Sequence, residues 1–220
     1  MVPKAGGRVP PRVGEDLPTE SPLLDESRIA NVAIVGDYTR AEVLAAEITA
    51  CRLDQVQAIG SRLIRSRLVD CVVVACDFSG AALDDCSIRR VEFHECRLSG
   101  LQAQHSSFKD VAFFDCKVDG ANFRMTKWES AEFWNCSLAE ADFYEASLPG
   151  SRFQSCDLTG VQLSKTDLTG TRLHGSTLEG IHGADNLRGV TIGSDQMIPA
   201  ALAVFGALNI LVDDELSLGD

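Results

Sequence analysis

The feature that most constrains this chain is an apolar residue at every fifth position. From Val43 the series runs through Ile48, Leu53, Ala58, Leu63 and Leu68 to Leu168, Leu173 and Leu178, 28 consecutive positions without a slip. A helix repeats its apolar residues at 3.6 and a half-buried strand at 2, so period five fits neither. It requires one short extended segment and one turn per quintet, with each fifth side chain returned to a common interior.

Two further periodicities fix the shape. The position two before each central residue is mostly Ala, Cys, Ser, Thr or Val, and all eight cysteines fall there: Cys51, Cys71, Cys76, Cys86, Cys96, Cys116, Cys136 and Cys156. Chance would scatter them over five phases. A small inward-pointing site collects them, because an unmodified Cys behaves as a small hydrophobe. Glycine recurs every twenty residues at Gly60, Gly80, Gly100, Gly120, Gly160 and Gly180, with Glu140 as the exception. Glycine at a fixed interval marks a turn that needs positive φ or close backbone approach. Twenty residues are four quintets, so one coil has four sides. The fold class is therefore all-β: a right-handed quadrilateral parallel β-helix of about seven coils, roughly 34 Å long at sheet spacing. Cys76 to Cys156 should stack along one side, and so should Phe93, Phe113, Phe133 and Phe153. Ala103, small at a central position, is accompanied by Leu101 at the small site, an exchange of volumes that keeps the layer filled.

These quintets resemble those of the pentapeptide repeat proteins, whose unit is A(D/N)Lxx. The nearest matches are Ala121-Asn122-Phe123, Ala141-Asp142-Phe143, Cys156-Asp157-Leu158 and Thr166-Asp167-Leu168. After Leu187 and Ile192, in a shifted frame, comes Gly193-Ser194-Asp195-Gln196-Met197 and an Ala/Leu-rich segment. This ending is similar to that of the mycobacterial-type fluoroquinolone-resistance members. There a Val-Asp-Gln step opens a C-terminal helix that makes a dimer, and the members are thought to mimic DNA and bind type II topoisomerase, mainly DNA gyrase. The resemblance implies the same for this chain. The quintets run from Val43 to Leu178 without insertion, so the projecting loops of the Qnr group are not expected.

The organisation follows. Residues 1–26 are rich in Pro, Gly and charge and read as a disordered tail. Residues 27–40 read as an N-terminal capping segment, with a strand at 28–35 and Tyr38 as an extra central position. Residues 41–193 form the β-helix, and 194–220 a C-terminal helix and tail. Ser194 is the expected N-cap, with Pro199 in the first turn. A helix at 197–208 would be apolar on every face and so needs burial on both sides. The end of the coil supplies one; a second copy of the chain supplies the other through Met197, Ile198, Leu202, Phe205 and Leu208, giving a homodimer. Cover by the N-terminal segment is the alternative.

Composition narrows function. With 32 acidic and 20 basic residues the net charge is −12, which argues against direct nucleic-acid binding, since phosphate contacts need clustered Lys and Arg. No signal-peptide core is visible at the N-terminus, and the most apolar run, 197–212, is too short and too interrupted to span a membrane. The expected compartment is the cytoplasm, where thiols stay reduced. No catalytic, cofactor-binding or metal site is expected: the cysteines share one inward phase, without a Cys-x-x-Cys pair, and His94, His105, His174 and His182 do not cluster with a nucleophile. The expected activity is protein binding without catalysis.

Three surfaces are candidates. Phe114 and Trp134 follow central phenylalanines, so they face outward on one side, with Val72 and Val74 nearby, as a partner contact. The alternative is that the N-terminal segment lies across them. The C-terminal helix is the dimer contact. Asp185, Asp195, Asp213, Asp214 and Glu215 form an acidic surface near the dimer centre. Over residues 41–180 the acids spread five to a side, so no acidic stripe is expected. Two functions remain: a DNA-mimicking modulator of gyrase or another type II topoisomerase with a resistance or protection role, or a protein-interaction scaffold with a partner unrelated to DNA.

Overall fold

In the computed structural model, residues 8–20 and 27–211 are described; the expectations for 1–7, 21–26 and 212–220, including Asp213, Asp214 and Glu215, lie outside them. The chain winds into a four-sided parallel β-solenoid. Each quintet pairs with the one twenty residues on: Ile88 with Leu68 and Phe108, Phe93 with Val73 and Phe113, Leu63 with Val43 and Leu83. The sides are called first to fourth after their central residues, starting from Val43, Ile48, Leu53 and Ala58. The longest strands, Arg67–Val74, Ser87–His94 and Ser107–Phe114, run through the corner between the second and third sides.

The corners explain the period of five. Every fifth residue from Arg40 to Gly180 has a positive φ between 50° and 72°. One left-handed residue per quintet turns the chain through a corner, and the extended residues around it pair with the coils above and below. Glycine dominates one corner column, as the sequence suggested, with Arg40 and Glu140 as exceptions; the other columns hold residues such as Asp, Arg, Glu, Asn and Ala in the same conformation, with glycine at Gly150, Gly170 and Gly175.

The interior is one continuous core. All the central positions point inward, with only Phe78 and Leu83 half-buried. Phe93, Phe113, Phe133 and Phe153 stack with centroids 4.8, 4.7 and 4.7 Å apart and rings within 5° of parallel. Phe108 lies 3.8 Å from Trp128 in the next column. Ala103 and Leu101 are both buried, so the exchange of volumes holds.

The small site does more than fill space. At many of these positions a hydroxyl or thiol donates to a carbonyl 23 residues back, one coil below: Ser106 to Leu83 (2.8 Å), Thr166 to Phe143 (2.7 Å), Thr171 to Leu148 (2.8 Å) and, more weakly, Cys86 to Leu63 (3.2 Å). Cysteine, serine and threonine thus share one position because each is small and each carries a donor.

Both ends break the period by one residue. Residues 28–34 pair with 47–53 at a separation of 19, so the strand expected over 28–35 is two short strands, Arg28–Ala30 and Ala33–Ile34, that stack on the first coil, with Ile29 on Ile48 and Ile34 on Leu53. At the other end Arg172 bridges to Thr191, again 19 residues away, after a short 3-10 turn at Ala184–Asn186. A second 3-10 turn, Ser194–Gln196, leads directly into helix α1, Met197–Ala207. Ser194 does not cap it through its side chain. Gln196 ties the junction instead: its buried amide donates to the carbonyls of Leu173 and Ser176, both at 2.6 Å, and its Oε1 accepts from the Gly193 amide at 2.8 Å. Acceptors that the last coil would leave without a neighbour are thereby satisfied.

Candidate interaction surfaces

On the third side, two outward rows run along the solenoid. One aligns Val74, His94, Phe114 and Trp134; the other aligns Val72, Glu92, Ala112 and Glu132. Sequence reasoning singled out Val72, Val74, Phe114 and Trp134, and they do share this side, all half-buried. It missed His94, whose ring stacks on Phe114 at 4.8 Å and whose Nε2 lies 3.2 Å from Glu92; stepping by twenty from Val74 would have found it. Arg152 covers the far end of the row, 5.5 Å above the Trp134 ring.

The second row is covered by the N-terminal segment. Arg8 reaches Glu92 at 2.6 Å and Glu132 at 3.6 Å, and Ala112, between them in the row, is fully buried. The Val9 amide donates to Asp110 (3.1 Å) and the Arg12 amide to Asp70 (3.2 Å). Part of the stretch expected to be a disordered tail thus lies against the coil, on the row beside the aromatic one. Asp70 is also gripped by Arg90 through two bonds, 2.6 and 2.5 Å, and this pairing holds its carboxyl below the ordinary range. Burial pushes the Glu92 carboxyl up, but hydrogen bonds from His94 and Arg8 outweigh it and leave the group below its usual value.

At the C-terminal end, Ala200, Ala203 and Val204 of α1 turn toward the core. Met197, Ile198, Leu202, Phe205 and Leu208 are left 63, 73, 62, 38 and 55% exposed. Ile198, Leu202 and Ala203 also wall a groove of about 880 Å³ against Thr177, Ile181 and His182 of the last coil. The helix therefore covers the end of the coil with one face, and among the described residues nothing packs on the other. Asp185 and Asp195 lie exposed beside it.

Several other acids are matched across coils. Arg62 sits between Glu42 and Asp84, Lys109 meets Glu129, Arg124 meets Asp142 and Lys165 meets Glu145. The eight cysteines are buried free thiols, and burial pushes Cys71 up to about 12 and Cys86 up to about 11. Among the described residues, no three His, Cys, Asp or Glu side chains converge as a metal site would require, and no helix is long and apolar enough to cross a membrane.

A four-sided solenoid built from quintets with a filled interior defines a class of repeat protein. Family models agree: one for a pentapeptide repeat region matches residues 46–123, and one for eight copies of the pentapeptide repeat matches 116–154 and 136–175. The chain belongs to the pentapeptide repeat family. Among solved structures it is similar to a trypsin-treated form of QnrB1, a plasmid-mediated fluoroquinolone resistance protein, at 22% identity over 84% of this chain and 99% of that one, with a TM-score of 0.40. It is also similar to HetL of the cyanobacterium Nostoc sp. strain PCC 7120, involved in heterocyst differentiation regulation, at 16% identity over 77% and 91%, with a TM-score of 0.31. No curated protein matches the chain.

Proposed function

We propose that the protein is a non-catalytic binding protein that pairs with a second copy through α1 and acts on a type II topoisomerase, DNA gyrase first, as a negatively charged stand-in for DNA, with a resistance or protection role. The observation that carries this reading is the apolar face that α1 leaves exposed among the described residues, at the end of an acidic rod. A two-fold contact there would bury Leu202 and Phe205 in both copies and double the rod, which is what a mimic of a DNA segment needs. The net charge of −12 and the Ser194-Asp195-Gln196 step into the helix support it. The rival reading, a scaffold for a partner unrelated to DNA, draws support from the cross-coil ion pairs, which cancel much of the acidic charge along the sides.

The test is gyrase supercoiling with and without the purified protein, and with a fluoroquinolone present, run beside sedimentation. A dimer that alters supercoiling at stoichiometric concentration is expected, with Leu202→Asp giving a monomer and abolishing the effect. A wild-type monomer at micromolar concentration would reject the dimer. A dimer without effect on the enzyme would favour the scaffold.

A further inference from the structure

The corner between the second and third sides carries a feature that the topoisomerase reading does not use. Asp70 and Asp110 stand in one corner column, two coils apart; Glu92 and Glu132 stand in one outward row, again two coils apart. Seated on them is Arg8-Val9-Pro10-Pro11-Arg12. Pro10 and Pro11 have no amide hydrogen and fix their own φ near −65°, and each also pushes the residue before it toward extended or polyproline II geometry. The two free amides that flank the pair, those of Val9 and Arg12, are the ones taken by Asp110 and Asp70.

The repeats are commensurate. A polyproline II helix turns once in three residues and rises about 9.3 Å per turn. Two coils of the solenoid occupy roughly 9.5 Å at sheet spacing, and the stacked phenylalanines show the same interval, 4.7 Å per coil. Val9 and Arg12, three residues apart, therefore meet the same kind of carboxylate every two coils. Arg8 supplies the lateral anchor. Its side chain is 10% exposed and enters between Glu92 and Glu132, yet its Nε and Nη1 find no hydrogen-bond partner there. The pocket thus holds a guanidinium without satisfying all of its donors.

We infer that this corner is a binding track for an arginine-bearing, proline-rich segment of a partner protein in polyproline II conformation, and that residues 8–12 are its intramolecular occupant, which the partner must displace. The chemistry is specific on both counts. The carboxylates select cationic side chains and free amides at three-residue spacing, and the coil repeat selects the extended proline-type backbone over a helix, whose three residues climb only about 4.5 Å, one coil, and would set the second contact at Arg90. The track stands whether or not the protein acts on a topoisomerase.

The test uses the full chain and a fluorescently labelled peptide spanning residues 7–14. Arg8→Ala removes the anchor of the tethered segment, and Val9→Pro withdraws the amide that Asp110 accepts without altering the solenoid, so the proposal does not depend on one variant folding. Each is expected to bind the added peptide at least ten-fold more tightly than wild type, where the tethered copy competes. A peptide with both prolines changed to glycine, of equal charge, should bind at least five-fold more weakly. Adding Glu92→Gln and Glu132→Gln should remove binding. Equal affinity for the glycine peptide would reduce the site to bulk charge and overturn the proposal. So would binding indifferent to Glu92 and Glu132, or no binding to either opened variant.

Discussion

At the scale of single residues, the corners are where backbone geometry and sequence disagree most openly. Asp70, Arg90, Glu95, Asp115 and sixteen other non-glycine corner residues hold a conformation that costs an L-residue about 1–2 kcal/mol, and the pairing on both sides of each corner offsets it. Gly120 has open space around it, so Gly120→Ala adds only that strain, partly cancelled by the lower entropy of the unfolded chain. A loss of about 1 kcal/mol in chemical denaturation is expected. Gly183 differs: an added Cβ would lie 2.4 Å from the Ser164 amide nitrogen, which is backbone and cannot yield. Gly183→Ala should cost about 3 kcal/mol or more, from strain and overpacking together. Equal losses at the two sites would contradict the tight approach of the 3-10 turn to the coil. Glycine spacing revealed one corner of the four. The rest were silent because polar residues take left-handed geometry there without announcing it.

Among the elements, the stacked columns were the most legible. A side chain that returns every twenty residues must meet its own kind, and the Phe93–Phe153 ladder follows from counting alone. Phe133 packs between Phe113 and Phe153 and is fully buried. Phe133→Ala should therefore cost about 3–5 kcal/mol, and a thermal melt within a degree or two of wild type would contradict the stack. Helix α1 was legible to within one residue, because its apolar run and Pro199 are local signals. The role of Gln196 was not, since its partners Leu173 and Ser176 come from the coil and no pattern near residue 196 points to them. The N-terminal segment was the least legible. Pro and Gly enrichment measures a poor ability to form a core, and residues 8–12 form none; they borrow one side of a core that is complete without them. Arg8 carries no periodic signal, so only the coil's own acids could have drawn attention to it.

For the whole molecule, acid should weaken the contact where the segment meets the coil. The Glu92 carboxyl titrates below its ordinary value of 4.5 in the folded protein. Its contribution is therefore present above that pH and is lost as the pH falls through the folded value. Glu92→Gln, which imitates the protonated acid, should lower stability at pH 7, and the gap should narrow in acid, at a pH below the folded value. The measurement is the difference in melting temperature between variant and wild type at the two pH values. A gap that persisted in acid would show that Gln disturbs packing and not charge.

The constant separation between neighbouring layers has a kinetic meaning. Nearly every backbone pairing joins residues 19 or 20 apart, so the relative contact order is about 0.1, low for an all-β chain and nearer that of helical bundles. No distant segments must find one another before structure is rewarded. Any pair of coils can nucleate, and growth proceeds by adding a layer at either open face. Loss should run the opposite way, from the outermost layers inward, so amide hydrogen exchange in the native protein should be slowest around Phe113 and Phe133 and quicken in steps toward both ends. Uniform protection along the rod would instead mean that the whole solenoid opens in one cooperative event. With graded protection, α1 and the 19-residue layers act as stoppers on a zipper, setting the protein's lifetime while leaving its middle unchanged.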